Sequence, residues 1–225
     1  MTDALLTAHG VTKSFGATPA LHGADITVGT GEVLAIMGPS GSGKSTLLHC
    51  LAGILRPDAG EVYFAGQRID QLNERARTVL RRDRFGFVFQ FGQLVPELPV
   101  VENVMLPLIL AGVRQAAARL RAAELLDRLE LTGLDARRPG ELSGGQSQRV
   151  AVARALVSRP EVIFADEPTG SLDSLSGQRV MDLLVDAARD QAATVVLVTH
   201  EARVAACADR EVVVRDGRVS ALVGS

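Results

Sequence analysis

Short apolar runs, many of them β-branched, recur along the chain and set the first expectations. Val33 to Met37, Phe85 to Phe89, Val162 to Ala165 and Thr194 to Val198 read as buried parallel strands. Helical patterns separate most of them, which predicts an α/β sheet with crossover helices. The N-terminal part differs: Leu5 to Phe15, Ala24 to Val28 and Glu61 to Ala65 read as strands joined by Gly and Asp turns. They predict a small antiparallel layer. From Gly92 to about Val157 no strand pattern stands out. Ala118, Ala122, Leu125 and Leu129 recur there at helical spacing, with Arg and Glu between them, and Gly133 reads as the stop. The expectation is one domain over 1–225, with a helical sub-domain at about 92–157 inserted into the α/β core. Two last short strands are predicted, Glu211 to Arg215 and Val219 to Val223.

Composition narrows the function. A chain of 225 residues that is 47% hydrophobic can bury one sizeable core. Its 24 basic and 26 acidic residues give a net charge of −2, so no global basic field points to nucleic acid. One Tyr and no Trp leave little for a base-stacking platform. The start, MTDALLTAHGVTKSF, lacks the basic region and apolar run of a signal peptide. The longest apolar candidate, Val100 to Val113, is broken by Glu102, Asn103 and Pro107 and falls short of a membrane span. A soluble chain is expected, with any membrane role exerted through a partner. Cys50 and Cys207 match no metal spacing and are expected as small buried apolar residues in a reducing, cytosolic setting.

Candidate chemistry lies in three places. Gly38-Pro39-Ser40-Gly41-Ser42-Gly43-Lys44-Ser45-Thr46 matches G-x-x-x-x-G-K-[ST], after a predicted strand and before a helix predicted over Ser45 to Leu55. Glycines let the backbone curl so that N–H groups face phosphate oxygens, and the helix adds its positive end. Lys44 brings a full charge to the β- and γ-phosphates, and Ser45 offers a hydroxyl to Mg²⁺. The strand Val162 to Ala165 ends in Asp166 and Glu167. Two adjacent carboxylates repel, which implies a nearby cation. Asp166 can hold the metal and Glu167 can orient or deprotonate an attacking water. Third, Leu142-Ser143-Gly144-Gly145-Gln146 precedes a helix predicted from about Gly145 to Val157. Ser143 and Gln146 have capping-box spacing, and the two glycines leave first-turn amides open to an anion.

A phosphate loop, LSGGQ about a hundred residues later and an acidic strand end shortly after resemble the nucleotide-binding domain of ABC transporters, over essentially the whole chain. The resemblance implies a P-loop NTPase core with a mainly parallel sheet, an antiparallel N-terminal β sub-domain and an inserted helical sub-domain. It implies an ATPase using ATP and Mg²⁺, in a head-to-tail homodimer that sandwiches two ATP molecules. Each would lie between one copy's phosphate loop and the other's Ser143, Gly145 and Gln146. By the same resemblance Phe15 stacks on adenine. Gln90 senses Mg²⁺ and the attacking water. Asp173, in Ser171-Leu172-Asp173, belongs to a loop crossing the dimer interface, and His200 contacts the γ-phosphate. Ser147 departs from the family, which usually has a second Gln there.

Phe91, Leu94, Val95, Pro96 and Leu98 match the stretch that receives a membrane subunit's coupling helix, although they could equally just pack the helical sub-domain. Val101 to Pro107 is similar to the branch of macrolide exporters, lipoprotein-releasing systems and FtsE-type cell-division ATPases. The expected role is therefore to drive a separate permease from the cytoplasmic face of the cell membrane, without touching cargo or nucleic acid, by export or mechanical transmission. The alternative is an FtsE-like ATPase that controls cell-wall hydrolysis without transport. A soluble ABC ATPase acting on DNA or ribosomes would call for a coiled-coil insertion or a second ATPase half, and a P-loop kinase would lack LSGGQ.

Overall fold

The buried apolar runs form strands, and the polar, glycine-marked segments between them form turns and helices. The computed structural model describes residues 4–221. In chain order the elements are β1 (Ala4–Phe15), β2 (Thr18–Gly29), β3 (Val33–Met37), α1 (Lys44–Leu51), β4 (Ala59–Phe64), β5 (Gln67–Arg68), α2 (Glu74–Arg84), β6 (Phe85–Phe89) and α3 (Val100–Leu110). They continue with α4 (Gln115–Arg128), α5 (Gly144–Leu156), β7 (Val162–Asp166), α6 (Ser174–Asp190), β8 (Thr194–Val198), α7 (Ala202–Ala205), β9 (Arg210–Arg215) and β10 (Arg218–Ala221). The chain divides into two units, residues up to 81 with those from 194 onward, and residues 82–193.

In the first unit, β2, β1, β4 and β5 make the predicted antiparallel sheet, in that order. Beside it β3 runs parallel to both β8 and β9, and β10 folds back antiparallel on β9. Val33 to Ile36 and all of β8 are buried, which is why these runs are almost wholly apolar. Because Ile36 pairs with Val198, the turns after β3 and β8 leave the same edge of the sheet. In a parallel sheet the strands' carboxyl ends are where ligands bind.

In the second unit, β6 and β7 pair in parallel from Phe85 opposite Val162 to Phe89 opposite Asp166. Helices α3, α4 and α5 pack on one another, burying Val104, Leu108, Ala118, Ala122, Leu125 and Val152. Under β6 and β7 lies an aromatic cluster. Phe164 is buried, edge-on to Phe85 with centroids 5.1 Å apart and stacked on Phe87 at 5.8 Å. Phe164→Ala is expected to cost about 3–5 kcal/mol of stability, read as a lower urea midpoint. A midpoint equal to the parent's would show that this cluster does not hold the unit together.

Several boundaries differ from the sequence expectation. α1 ends at Leu51 because Gly53 turns to φ 62 and the amides of Gly53 and Ile54 bond back to Cys50 and His49. α4 stops at Arg128, before Gly133, because Glu130 itself takes φ 59 while Leu131 N–H closes on the Leu126 carbonyl at 2.8 Å. β2 starts at Thr18 because its pairing with Phe15 extends the hairpin beyond the apolar stretch. Of the predicted last strand, Leu222 and Val223 lie outside the described residues. Cys50 is buried, and burial pushes its thiol up to about 12, whereas Cys207 is only half-buried. Among the described residues no helix is long and apolar enough to cross a membrane.

Candidate functional site

In the first unit β3 feeds the phosphate loop, and glycine is required there for two separate reasons. Gly38 and Gly43 have φ 143 and 104, and a Cβ would stand 2.1 Å from the Val214 carbonyl oxygen at Gly38 and 2.4 Å from that of Ala20 at Gly43. Conformation and space both exclude a side chain. Lys44 is buried, and its Nζ donates to the Pro39 carbonyl at 2.9 Å, so the ammonium lies inside the loop. The Ser42 hydroxyl is buried and has no hydrogen-bond partner among the described residues. No side chain caps α1 at Gly43. A curled backbone, an enclosed ammonium, an orphaned hydroxyl and an uncapped helix start together fit an anion of phosphate type. Ser40, Gly41 and Ser45 are exposed and Thr46 is partly buried.

Two more predicted residues belong to this unit. His200 is exposed just after β8, where the Thr199 amide bonds to the Ile36 carbonyl at 3.2 Å. It therefore leaves the sheet edge that bears the phosphate loop. Phe15 ends β1 with its ring half exposed and the Lys13 ammonium 6.0 Å from the ring centroid. An exposed ring at a hairpin tip is available for stacking.

The second unit gathers the remaining candidates. Since Phe89 pairs with Asp166, Gln90 and Glu167 follow side by side at one end of β6 and β7. Gly170 lies against both: a Cβ there would meet Gln90 Nε2 at 2.9 Å and Glu167 Oε2 at 3.3 Å. Glu167 has φ 46, a conformation that costs a non-glycine residue energy and clusters at functional sites. The Ser171 hydroxyl donates to the Gln90 carbonyl at 3.0 Å, tying the Asp173 loop to the same place. Asp173 caps α6, accepting from Leu175 N–H at 3.1 Å and Ser176 N–H at 3.0 Å. Hydrogen bonds from the Ser176 side chain and backbone, with a further one from Leu175, hold its carboxyl below the usual range.

The signature residues form the capping box their spacing predicts. Ser143 Oγ accepts from Gln146 N–H at 3.2 Å, and Gln146 Oε1 accepts from Ser143 N–H at 2.9 Å. Gly144 and Gly145 face Leu172 and Ser176, where a Cβ would come within 3.2 and 3.4 Å. Ser147 continues the helix, its N–H bonding to the Ser143 carbonyl at 2.9 Å. Ser143→Ala removes one arm of the box and is expected to cost about 1 kcal/mol, read from the denaturation midpoint. No change there would mean that the cap carries no stability.

Comparison with known proteins decides what these groups belong to. A family model described as "ABC transporter" matches residues 21–170. The chain belongs to the ABC transporter family. As an ABC cassette it is an ATP-binding subunit and an ATPase. Lipoprotein-releasing system ATP-binding protein LolD 1 of Rhodospirillum rubrum is 44% identical over 225 residues, covering 98% of this chain and 100% of that one. LolD of Paramagnetospirillum magneticum is 48% identical over 198 residues, 88% of this chain and 87% of its own. Among solved structures, a dimeric ATP-binding cassette in a post-hydrolysis state bound to ADP and Pi superposes with a TM-score of 0.88. It is 40% identical and covers 98% of this chain and 100% of its own. The matched span of this ABC cassette holds the phosphate loop, Gln90, the signature and the acidic pair, while Phe15, Asp173 and His200 fall outside it.

Sequence reasoning missed Asn103, Gln148 and Arg154. Asn103 is fully buried. Its Nδ2 donates to the Val95 and Leu98 carbonyls, both at 3.0 Å, and its Oδ1 accepts from Val95 N–H at 2.7 Å. It holds the stretch that leaves Phe91 exposed. A polar residue inside an apolar helical pattern is the only local sign of such a role.

Proposed function

We propose that this chain is the ATPase subunit of a lipoprotein-releasing type of ABC transporter, driving a separate permease from the cytoplasmic face of the membrane. The observation that carries this reading is the 44% identity to LolD 1 over the full length of that protein. The lipoprotein-releasing names of the relatives favour it over the FtsE-type alternative. In this reading the phosphate loop and Lys44 hold the β- and γ-phosphates of ATP, and Phe15 stacks on the adenine. A second copy, head to tail, presents Ser143, Gly145 and Gln146 to the same γ-phosphate, with the Gly144 amide beside them. Its Asp173 loop crosses the interface. Glu167 orients or deprotonates the water, and His200 contacts the γ-phosphate.

The Ser45 hydroxyl, the Asp166 carboxylate and the Gln90 side-chain carbonyl are hard oxygen donors of the kind Mg²⁺ takes, and these three would hold it. When bound, that ion neutralises phosphate charge as the γ-phosphoryl group transfers. ATP closes the homodimer and hydrolysis lets it open, so the cycle becomes motion that Phe91, Leu94, Val95, Pro96 and Leu98 pass to the permease. Half-exposed to exposed positions along this stretch support the assignment. The test is capture of tagged Glu167→Gln protein from detergent-solubilised native membranes with ATP, followed by mass spectrometry. A co-purifying permease with few membrane helices and a large outer domain is expected. A many-helix importer permease, or soluble partners alone, would overturn the proposal.

A further inference from the structure

We propose that Arg154 is a positioning residue for Gln90, and that together with Gln148 it fastens the Gln90 turn to the helix that begins with the signature sequence. This rests on the reading of Gln90 as the residue that attends the metal and the attacking water.

The turn after β6 is unusual for its backbone. Gly92 and Gln93 are both left-handed, with φ 67 and 47, and Gln93 is not a glycine. Such a conformation persists only where its surroundings impose it. Side-chain donors from α5 reach three carbonyls in this segment, and the Ser171 hydroxyl reaches a fourth, that of Gln90. Gln148, buried, donates from Nε2 to the Phe89 carbonyl at 2.8 Å. Arg154 donates from Nη2 to the Gly92 carbonyl at 2.6 Å and from Nη1 to the Gln93 carbonyl at 2.8 Å. Gln90 lies between these attachment points. The turn also packs flat on the helix: a Cβ at Gly92 would lie 3.4 Å from Gln148 Oε1, 3.5 Å from the Ser147 carbonyl oxygen and 3.6 Å from Ala151 Cβ.

Arg154 is not placed there as an ordinary ion pair. Among the described residues its guanidinium bonds to these two carbonyls and to no carboxylate, and burial lowers its pKa. Burying a cation against neutral acceptors is a poor way to gain stability. It is a good way to hold a bent backbone, because the planar fork reaches two carbonyls at once. The consequence is mechanical. α5 starts at Gly144, so the backbone that aims Gln90 and the signature residues at Ser143 to Gln146 move as one piece. In the proposed dimer Gln90 attends this copy's own ATP while the signature meets the partner's, and a shift of α5 at one nucleotide is felt by Gln90 at the other.

The experiment is a double-mutant cycle on ATP turnover with Gln90→Ala, Arg154→Met and Arg154→Lys. Arg154→Met is expected to lower kcat by about 10- to 100-fold, the cost of a misaimed group. The KM for ATP should stay within about twofold, since the phosphate loop is untouched. Arg154→Lys, which can reach one carbonyl but not both, should fall between. Combining Arg154→Met with Gln90→Ala should slow turnover no further than Gln90→Ala alone, because both changes remove one function. Multiplying effects, or an Arg154→Met kcat within about twofold of the parent, would overturn the inference. Thermal melting identifies a variant that does not fold, and Arg154→Lys then carries the same comparison. A normal kcat in Gln90→Ala overturns the role given to Gln90 and the inference with it. A slow Gln90→Ala beside a normal Arg154 variant overturns the inference alone.

Discussion

Lys44→Ala is expected to abolish ATP hydrolysis, lowering turnover by at least about 10²-fold. Lys44 is the only cationic side chain of the phosphate loop, and one of two lysines in the chain. Its ammonium is already held inside the loop by the Pro39 carbonyl, so no reorganisation is needed before it meets phosphate charge. In a buried setting that charge is worth far more than at the surface. The glycines that shape the loop remain in the variant, so its melting temperature should change little while phosphate release at saturating ATP disappears. Turnover like the parent's would refute the role assigned to Lys44.

Glu167→Gln is the second large effect. The exchange keeps size and hydrogen-bonding reach and removes the ability to accept a proton. Turnover is expected to fall by about 10²- to 10⁴-fold, the usual contribution of a general base. Nucleotide affinity, measured with a fluorescent ATP analogue, should stay close to the parent's because the phosphate loop and Lys44 are intact. The left-handed backbone at Glu167 supports a dedicated placement, since strain of this kind is retained where position matters. A variant that turns over within a few-fold of the parent would remove Glu167 from the reaction.

How far the molecule could be read from its residues depended on the range of the forces involved. β3, β6 and β8 match their predicted bounds because each is a mostly buried apolar run. The first half of β2 was hidden, because Thr18-Pro19-Ala20 owes its extended form to pairing with β1. The phosphate loop was legible because glycine writes φ into sequence, and the capping box because its partners are three residues apart. The left-handed backbone at Glu167 and Glu130 was not, since neither residue is a glycine. That strain is imposed by surroundings that a sequence does not display. Gln148 and Arg154 escaped for a related reason: their acceptors lie 59 to 62 residues away. Nothing local marks a helix residue as the holder of a distant turn.

The central claim is that ATP brings two copies of this chain together and that hydrolysis separates them. It is tested most directly by light scattering on Glu167→Gln, with and without ATP. The account predicts a particle of 23.8 kDa without nucleotide and one of twice that mass with ATP. A mass that stays at the monomer value under saturating ATP would contradict it.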